Sequence, residues 1–287
     1  LSRSRRGRAE GGGAGVSDRV ALALRAPLTR PIGAECIAGD RFAALSADEI
    51  RALPVWDGRA SVSLGEIFTV SGERSSRIDI EGDLAQLEGV GTAMRDGEIT
   101  IAGSVGRGAG ARMSGGAIRI VGDAGDDAGL AMAGGMLTIG GSAGDRAGAA
   151  LPGASKGMVG GEIVIMGGAG RDAGARMRRG TLYCASAGEG AGTAMIAGNI
   201  IVAGSLADGA GLGNKRGSIV ALGAAQIPAT YAYACTYRPP HVALMLLSLR
   251  ARYGLSISDA HVHGRYKRYS GDLADIGKGE LLEWQAS

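Results

Sequence analysis

Side chains able to do chemistry are scarce in this chain. It holds three histidines among 287 residues, and His261-x-His263 has the look of a metal-binding pair. A zinc-type site needs about three or four protein ligands. The sequence places this pair on a strand, where both rings would need further partners, and His241 falls in a separate helix. The three cysteines offer little more. Cys184 occupies a strand position that related segments fill with Ile or Val, and Cys36 and Cys235 read as packed side chains rather than reactive thiolates. The expectation is therefore no catalytic residue in this chain, with His261 and His263 as the weaker, metal-binding alternative. Another chemistry is open to Arg178-Arg179 and Lys215-Arg216, because guanidinium forks suit carboxylates.

A repeat must position those residues. Gly103, Gly122 and Gly141 stand nineteen residues apart, and Gly167, Gly204 and Gly223 continue the series after one insertion, with Ser186 standing in once. Each is preceded by an alternating apolar pair, from Ile99/Ile101 and Ile118/Ile120 to Ile200/Val202 and Ile219/Ala221. Ala-Gly follows in each of the first six units, and Met94, Met113, Met132, Met158, Met177 and Met195 run alongside. A fixed short period means that one unit cannot bury its apolar side alone, whereas stacked units share a core. Alternation gives each unit a short strand, and glycines permit the tight corners between strands. Successive strands then pair in parallel at ~4.8 Å per unit. The predicted class is an all-β solenoid, a parallel β-helix of about seven to eight coils of ~19 residues. On it, Arg178-Arg179 and Lys215-Arg216 share one corner two coils apart, roughly 10 Å from each other by the strand spacing.

Other periodic architectures fit less well. Hexapeptide helices need an aliphatic residue every six positions, and calcium-binding nonapeptides need an aspartate at one fixed place. Asp123, Asp126, Asp127, Asp145 and Asp172 are scattered by comparison. Gly106-Arg107-Gly108-Ala109-Gly110 imitates a phosphate loop, but the next coil follows it where a helix would have to begin.

Fifty-three glycines against two phenylalanines argue against a core built on aromatic rings. No apolar run approaches the ~20 residues of a membrane span. The odd cysteine count suits a reducing cytoplasm. Net charge is +3, and Arg3, Arg5, Arg6 and Arg8 against Glu10 account for all of it. The body is neutral, which removes the simplest argument for nucleic-acid binding. Residues 1–16 begin with Leu and read as a disordered basic tail or an upstream extension.

The flanks differ from the repeat. Residues 17–76 are expected to form a small N-terminal cap: Val20, Leu22 and Leu24 alternate like a strand, and Ser46 with Glu49 makes a capping box for a helix that ends before Pro54. Phe68/Val70 and Ile78/Ile80 look like irregular first coils of a repeat domain spanning 77–225, and 151–157 reads as a surface loop inserted in one coil. Residues 226–287 are expected to form a C-terminal cap and arm. Within them His241 to Tyr253 reads as an amphipathic helix carrying Leu244 and Leu247, followed by a polar, irregular remainder.

Taken with the flanks, the repeat resembles the glutamate synthase C-terminal domain superfamily, whose fold is a right-handed β-helix. Glu35-Cys36-Ile37, Pro54-Val55-Trp56-Asp57-Gly58, Leu64-Gly65-Glu66-Ile67-Phe68, Tyr269-Ser270-Gly271-Asp272 and Gly277-Lys278-Gly279-Glu280-Leu281 are similar to the C subunit of formylmethanofuran dehydrogenase. The resemblance implies a component of an enzyme complex, this chain being its noncatalytic scaffold. In one setting a formyltransferase/hydrolase complex moves a formyl group from tetrahydromethanopterin to a methanofuran-type carrier and releases formate. In the other, a molybdenum or tungsten dehydrogenase fixes carbon dioxide on methanofuran. A free-standing glutamate-synthase-like spacer is the further alternative. The implied partners are the amidohydrolase-like A subunit, the B subunit and the formyltransferase D subunit of the same complex, with no nucleic acid and no membrane. The Arg178, Arg179, Lys215 and Arg216 corner then becomes a candidate contact for an acidic partner surface or for the carboxylate-rich tail of the carrier.

Overall fold

Alternating apolar residues at the start of the chain enter the same sheet as the repeat. The computed structural model describes residues 18–286; the basic stretch 1–16 lies outside the described residues. Strand β1 (Val20–Leu24) precedes β2 (Ile32–Gly33), α1 (Gly39–Phe42) and α2 (Ala47–Arg51). Ser46 and Glu49 form the predicted box: the Glu49 N–H donates to Ser46 Oγ at 3.4 Å, and the Ser46 N–H donates to the Glu49 carboxylate at 2.8 Å. Pro54 opens the next strand, β3 (Pro54–Trp56), after which come β4 (Ser61–Ser63), α3 (Leu64–Ile67), β5 (Phe68–Ser71) and β6 (Arg77–Glu81). β1 pairs in parallel with β6 on one side and antiparallel with β5 on the other.

Phe68 and Val70 therefore do not open the repeat, contrary to the sequence expectation. They share its alternation but run the opposite way at the end of the sheet, and alternation carries no strand direction. Arg25 and Arg51 donate to the Phe68 and Val70 carbonyls at 3.2 Å each. That edge is thereby closed to further pairing.

After β7 (Leu87–Glu88) the nineteen-residue echo takes over in β8 (Glu98–Ile101), β9 (Ala117–Ile120), β10 (Met136–Ile139), β11 (Glu162–Ala169), β12 (Thr181–Ala187), β13 (Asn199–Val202) and β14 (Ser218–Ala221). Each pairs in parallel with the next, and the register sets Ile99 beside Ile118, Leu137 beside Ile163 and Ile200 beside Ile219. A slip of one residue would turn every one of these side chains outward. Bridges from Leu84 through Val105, Ala124 and Ala143 to Ala169, and from Ala187 through Leu206 to Ala225, make a second line of neighbour contacts. The Ala-Gly pairs make a third, in which Gly129 N–H donates to the Ala109 carbonyl and Gly148 N–H to that of Ala128, both at 2.8 Å. Gly129 sits at φ 63°, and a Cβ there would lie 2.5 Å from Ile163 Cδ1. Only glycine satisfies both demands.

All six ladder methionines are fully buried. In the last unit Asn214 takes their place, also fully buried, its amide donating to the Gly217 carbonyl at 2.9 Å and accepting from the Gly217 N–H at 2.7 Å. A polar side chain can occupy that site because both of its ends are satisfied.

The C-terminal part comprises β15 (Ala232–Tyr237), α4 (Pro240–Tyr253), α5 (Asp259–Val262), β16 (Arg265–Gly271) and β17 (Gly279–Gln285). The remainder beyond α4, expected to be irregular, is instead an antiparallel layer in the order β15-β16-β17. Its β17 joins β14 in parallel and completes a thirteen-stranded sheet. Leu281 and Leu282 are fully buried on its two faces. Four residues in the outward column of strands β6 and β8–β10 are polar: Asp79, Thr100, Arg119 and Thr138. From β11 onward the column turns apolar, with Val164, Tyr183, Ile201 and Val220 buried beneath Val242, Leu246 and Leu249 of α4. The helix face is thus rotated from the expected one: Leu244 and Leu247 point to solvent, 69% and 37% exposed. Arg252 and Tyr253 fasten its end to Glu162, at 2.6 and 2.5 Å. Among the described residues no helix is long and apolar enough to cross a membrane.

Candidate functional site

Arg178 and Lys215 each follow a ladder residue, and the backbone sets them in corresponding places. The N–H groups of Arg178, Ile196 and Lys215 donate to the carbonyls of Met158, Met177 and Met195 at 2.7 to 2.8 Å. The four basic residues are exposed. Arg178, Arg179 and Arg216 line one recess of about 460 Å³, with Ile196, Ala197 and Asn199 between them and, among the described residues, no carboxylate in its wall. Lys215 stands outside that lining. None of the four forms an ion pair among the described residues. Such a recess can bind an anion and has no group able to attack a carbonyl.

A second charged cluster, of aspartates paired with arginines, passed unnoticed in the sequence. Asp127 is 2% exposed, gripped by Arg107 Nε at 2.5 Å and by both arms of Arg146 at 2.8 and 2.9 Å. The nineteen residues from Asp127 to Arg146 were the available signal, since that interval places the two side by side on neighbouring units. Asp126 and Asp145 are likewise in column rather than scattered, the Asp145 N–H donating to Asp126 Oδ1 at 2.8 Å. These carboxylates serve the backbone and the arginines of the neighbouring units.

His261 and His263 are not on a strand. His261 lies in α5, and His263 is its C-terminal cap. Ser258 begins this helix by accepting the His261 N–H at 3.2 Å, a start signal that the His-x-His spacing obscures. The His261 ring meets Ser258 Oγ at 3.1 Å and packs edge-on against Trp284, 4.5 Å between centroids. Burial lowers its pKa. His241, on α4, approaches Glu280 at 3.6 Å. No three His, Cys, Asp or Glu side chains converge to hold a metal among the described residues.

Burial pushes the Cys36 thiol up to about 11 and that of Cys184 up to about 12, so both are protonated, inert packing groups. Cys235 is exposed on β15, a correction to its expected packing. The cause is its place on the outermost strand, where residues 232–235 are all exposed.

No family model matches the sequence. The C subunit of the molybdenum-containing formylmethanofuran dehydrogenase 1 of Methanosarcina barkeri is 36% identical over 101 residues, 33% of this chain and 34% of that protein. Its counterpart in Methanothermobacter marburgensis is 38% identical over 78 residues, 26% of this chain and 20% of that protein. The chain thus matches a fifth to a third of the length of these methanogen relatives. The C subunit of the formyltransferase/hydrolase complex Fhc of Methylorubrum extorquens is 51% identical over 261 residues, 91% of this chain and 98% of that protein. This chain belongs to the Fhc C-subunit family.

A solved structure agrees with that assignment. A chain in the crystal structure of the FhcABCD complex of Methylorubrum extorquens with methylofuran superposes with a TM-score of 0.86 and 37% identity, over 93% of this chain and the whole of that one. In this member of the Fhc C-subunit family the basic recess, the Asp127 clamp and the apolar ladders all belong to the region that the relative covers end to end.

Proposed function

We propose that this chain is the noncatalytic scaffold of a formyltransferase/hydrolase complex. In it the repeat, residues 77–225, winds as a right-handed parallel β-helix between the segments 17–76 and 226–287. The three successive lines of unit-to-unit backbone bonding support the β-helix reading. The observation that carries the function is the end-to-end correspondence with the C subunit found in FhcABCD. Its partners would be an amidohydrolase-like A subunit, a B subunit and a formyltransferase-type D subunit, in the cytoplasm. They would act on a formyl group passed from tetrahydromethanopterin to a methanofuran-type carrier. The chain's own contribution is shape: a stiff sheet whose corners present charge, with Arg178, Arg179, Lys215 and Arg216 meeting an acidic partner surface.

Co-purification from the source cell, with mass spectrometry of the attached chains, tests this reading. Homologues of the A, B and D subunits are expected. Recovery of a molybdenum or tungsten dehydrogenase core instead would move the chain to the methanogen type of complex, which the matches to the methanogen proteins keep as the second reading. Formyl-carrier hydrolysis by the isolated chain, abolished by His261→Ala, would overturn the scaffold role.

A further inference from the structure

A second group of cations that form no ion pair among the described residues, Arg238 and Arg265, lies at the end of the C-terminal layer. There Thr236, Arg238, His263, Arg265, Trp284 and Gln285 contribute to the wall of a recess of about 510 Å³ that contains no carboxylate among the described residues. The antiparallel register sets Tyr237 beside Tyr266, and their sequence neighbours Arg238 and Arg265 line the same recess. Like charges in one recess repel. Arg265 donates one bond, from Nη2 to the Thr236 carbonyl at 3.1 Å, and Arg238 has no hydrogen-bond or ion-pair partner among the described residues. The acids nearest in register or sequence are committed elsewhere. Glu283 lies 3.6 Å from Lys267 and accepts from the Tyr269 hydroxyl at 3.1 Å, and Asp259 is held by Arg250 at 2.7 Å.

We propose that this recess is an oxyanion site that takes a carboxylate or phosphate group between the guanidinium forks of Arg238 and Arg265, with the His263 imidazole beside them. Two planar forks in the wall of one recess can offer N–H donors to one anion, and the anion removes their mutual repulsion. The site stands on the opposite ends of the strands from Arg178 and Arg216. It does not rest on the scaffold reading.

Isothermal titration of the full chain with citrate and with inorganic phosphate, at ionic strength held constant with chloride, tests the proposal. Saturable binding is expected, weakened about tenfold by Arg238→Gln with Arg265→Gln, since charge-assisted bonds are roughly twice as strong as neutral ones. The Lys pair, which keeps both charges and loses the forks, is expected to fall between, and Lys156→Gln, an exposed cation outside both basic recesses, to bind as wild type. Both arginines are exposed, and unchanged circular-dichroism melting checks that the variants fold. Heat that never saturates, or wild-type affinity in either double variant, overturns the site. Repeating the titration on the assembled complex identifies the source of the anion within a supported proposal. Blocked binding assigns the recess to a carboxylate side chain of a partner, and unchanged binding assigns it to a free small anion.

Discussion

Met132 is fully buried in a column of methionines, so an aspartate there would carry an unpaired charge into the core. Met132→Asp is expected to destabilise the fold by about 3 to 5 kcal/mol, the range for an uncompensated buried charge, and thermal unfolding unchanged by it would refute the placement. Asp57 makes a complementary case on the N-terminal side. The N–H groups of Ala60 and Arg59, each at 2.9 Å, and then the Arg30 guanidinium hold its pKa down to about 2. A folded pKa below the unfolded value of about 3.9 stabilises the protein at pH values above both, and that contribution is lost as pH falls through this window. Asp57→Asn should therefore flatten the acid limb of a stability–pH profile measured by urea unfolding between pH 6 and pH 2; an identical limb would show that other groups carry it. The methionine column was legible in the sequence because it repeats. Asn214 was not, because a polar residue breaks the pattern in type while keeping it in position, and only its two bonds to Gly217 explain why it is tolerated.

Among the elements, α4 shows how a correct helix can carry a wrong face. Its limits follow from Pro240 at the start and Gly254, at φ 65°, after the end, both readable signals. Its orientation depends on what lies beneath, and the helix sequence has apolar residues on both sides. The missing information was in the repeat: the outward column changes from Thr100, Arg119 and Thr138 to Val164, Tyr183, Ile201 and Val220, which marks where a cover must sit. Leu246→Ala is accordingly expected to cost about 2 to 5 kcal/mol, whereas Leu244→Gln should stay within about 0.5 kcal/mol of wild type. Paired denaturant titrations decide between the faces, and an equal loss from both substitutions would contradict this packing. The same logic separates what the C-terminal layer shares with the repeat from what it does not. β17 continues the parallel ladder through Leu281, but β15 and β16 run antiparallel to their neighbours, a change of direction that alternating apolar residues do not encode.

At the scale of the whole molecule, charge is distributed so that a neutral body carries local basic surfaces. The net +3 resides in the first sixteen residues, yet Arg178, Arg179 and Arg216 line one recess, with Lys215 beside Arg216 in sequence, because the stacking sets residues 37 apart in corresponding places. Exposed charges of this kind contribute little to stability, typically about 0 to 1 kcal/mol even when paired, so their clustering is better judged by association than by folding. Replacing all four with glutamate should leave thermal unfolding near that of wild type while weakening assembly with the other subunits by about tenfold or more, chiefly by slowing association. Added salt should reproduce the effect on the wild-type chain, since the screening length falls from ~10 Å at 0.1 M to ~3 Å at 1 M. On the variant it should act in the opposite sense and speed association, because it screens the repulsion between the new carboxylates and an acidic partner. Association kinetics measured against the remaining subunits over a salt series separate the alternatives: rates that fall with salt in the wild type and rise with salt in the variant assign the corner to an acidic partner surface. Equal rates and equal slopes in both proteins would leave the four residues as a solvated rim.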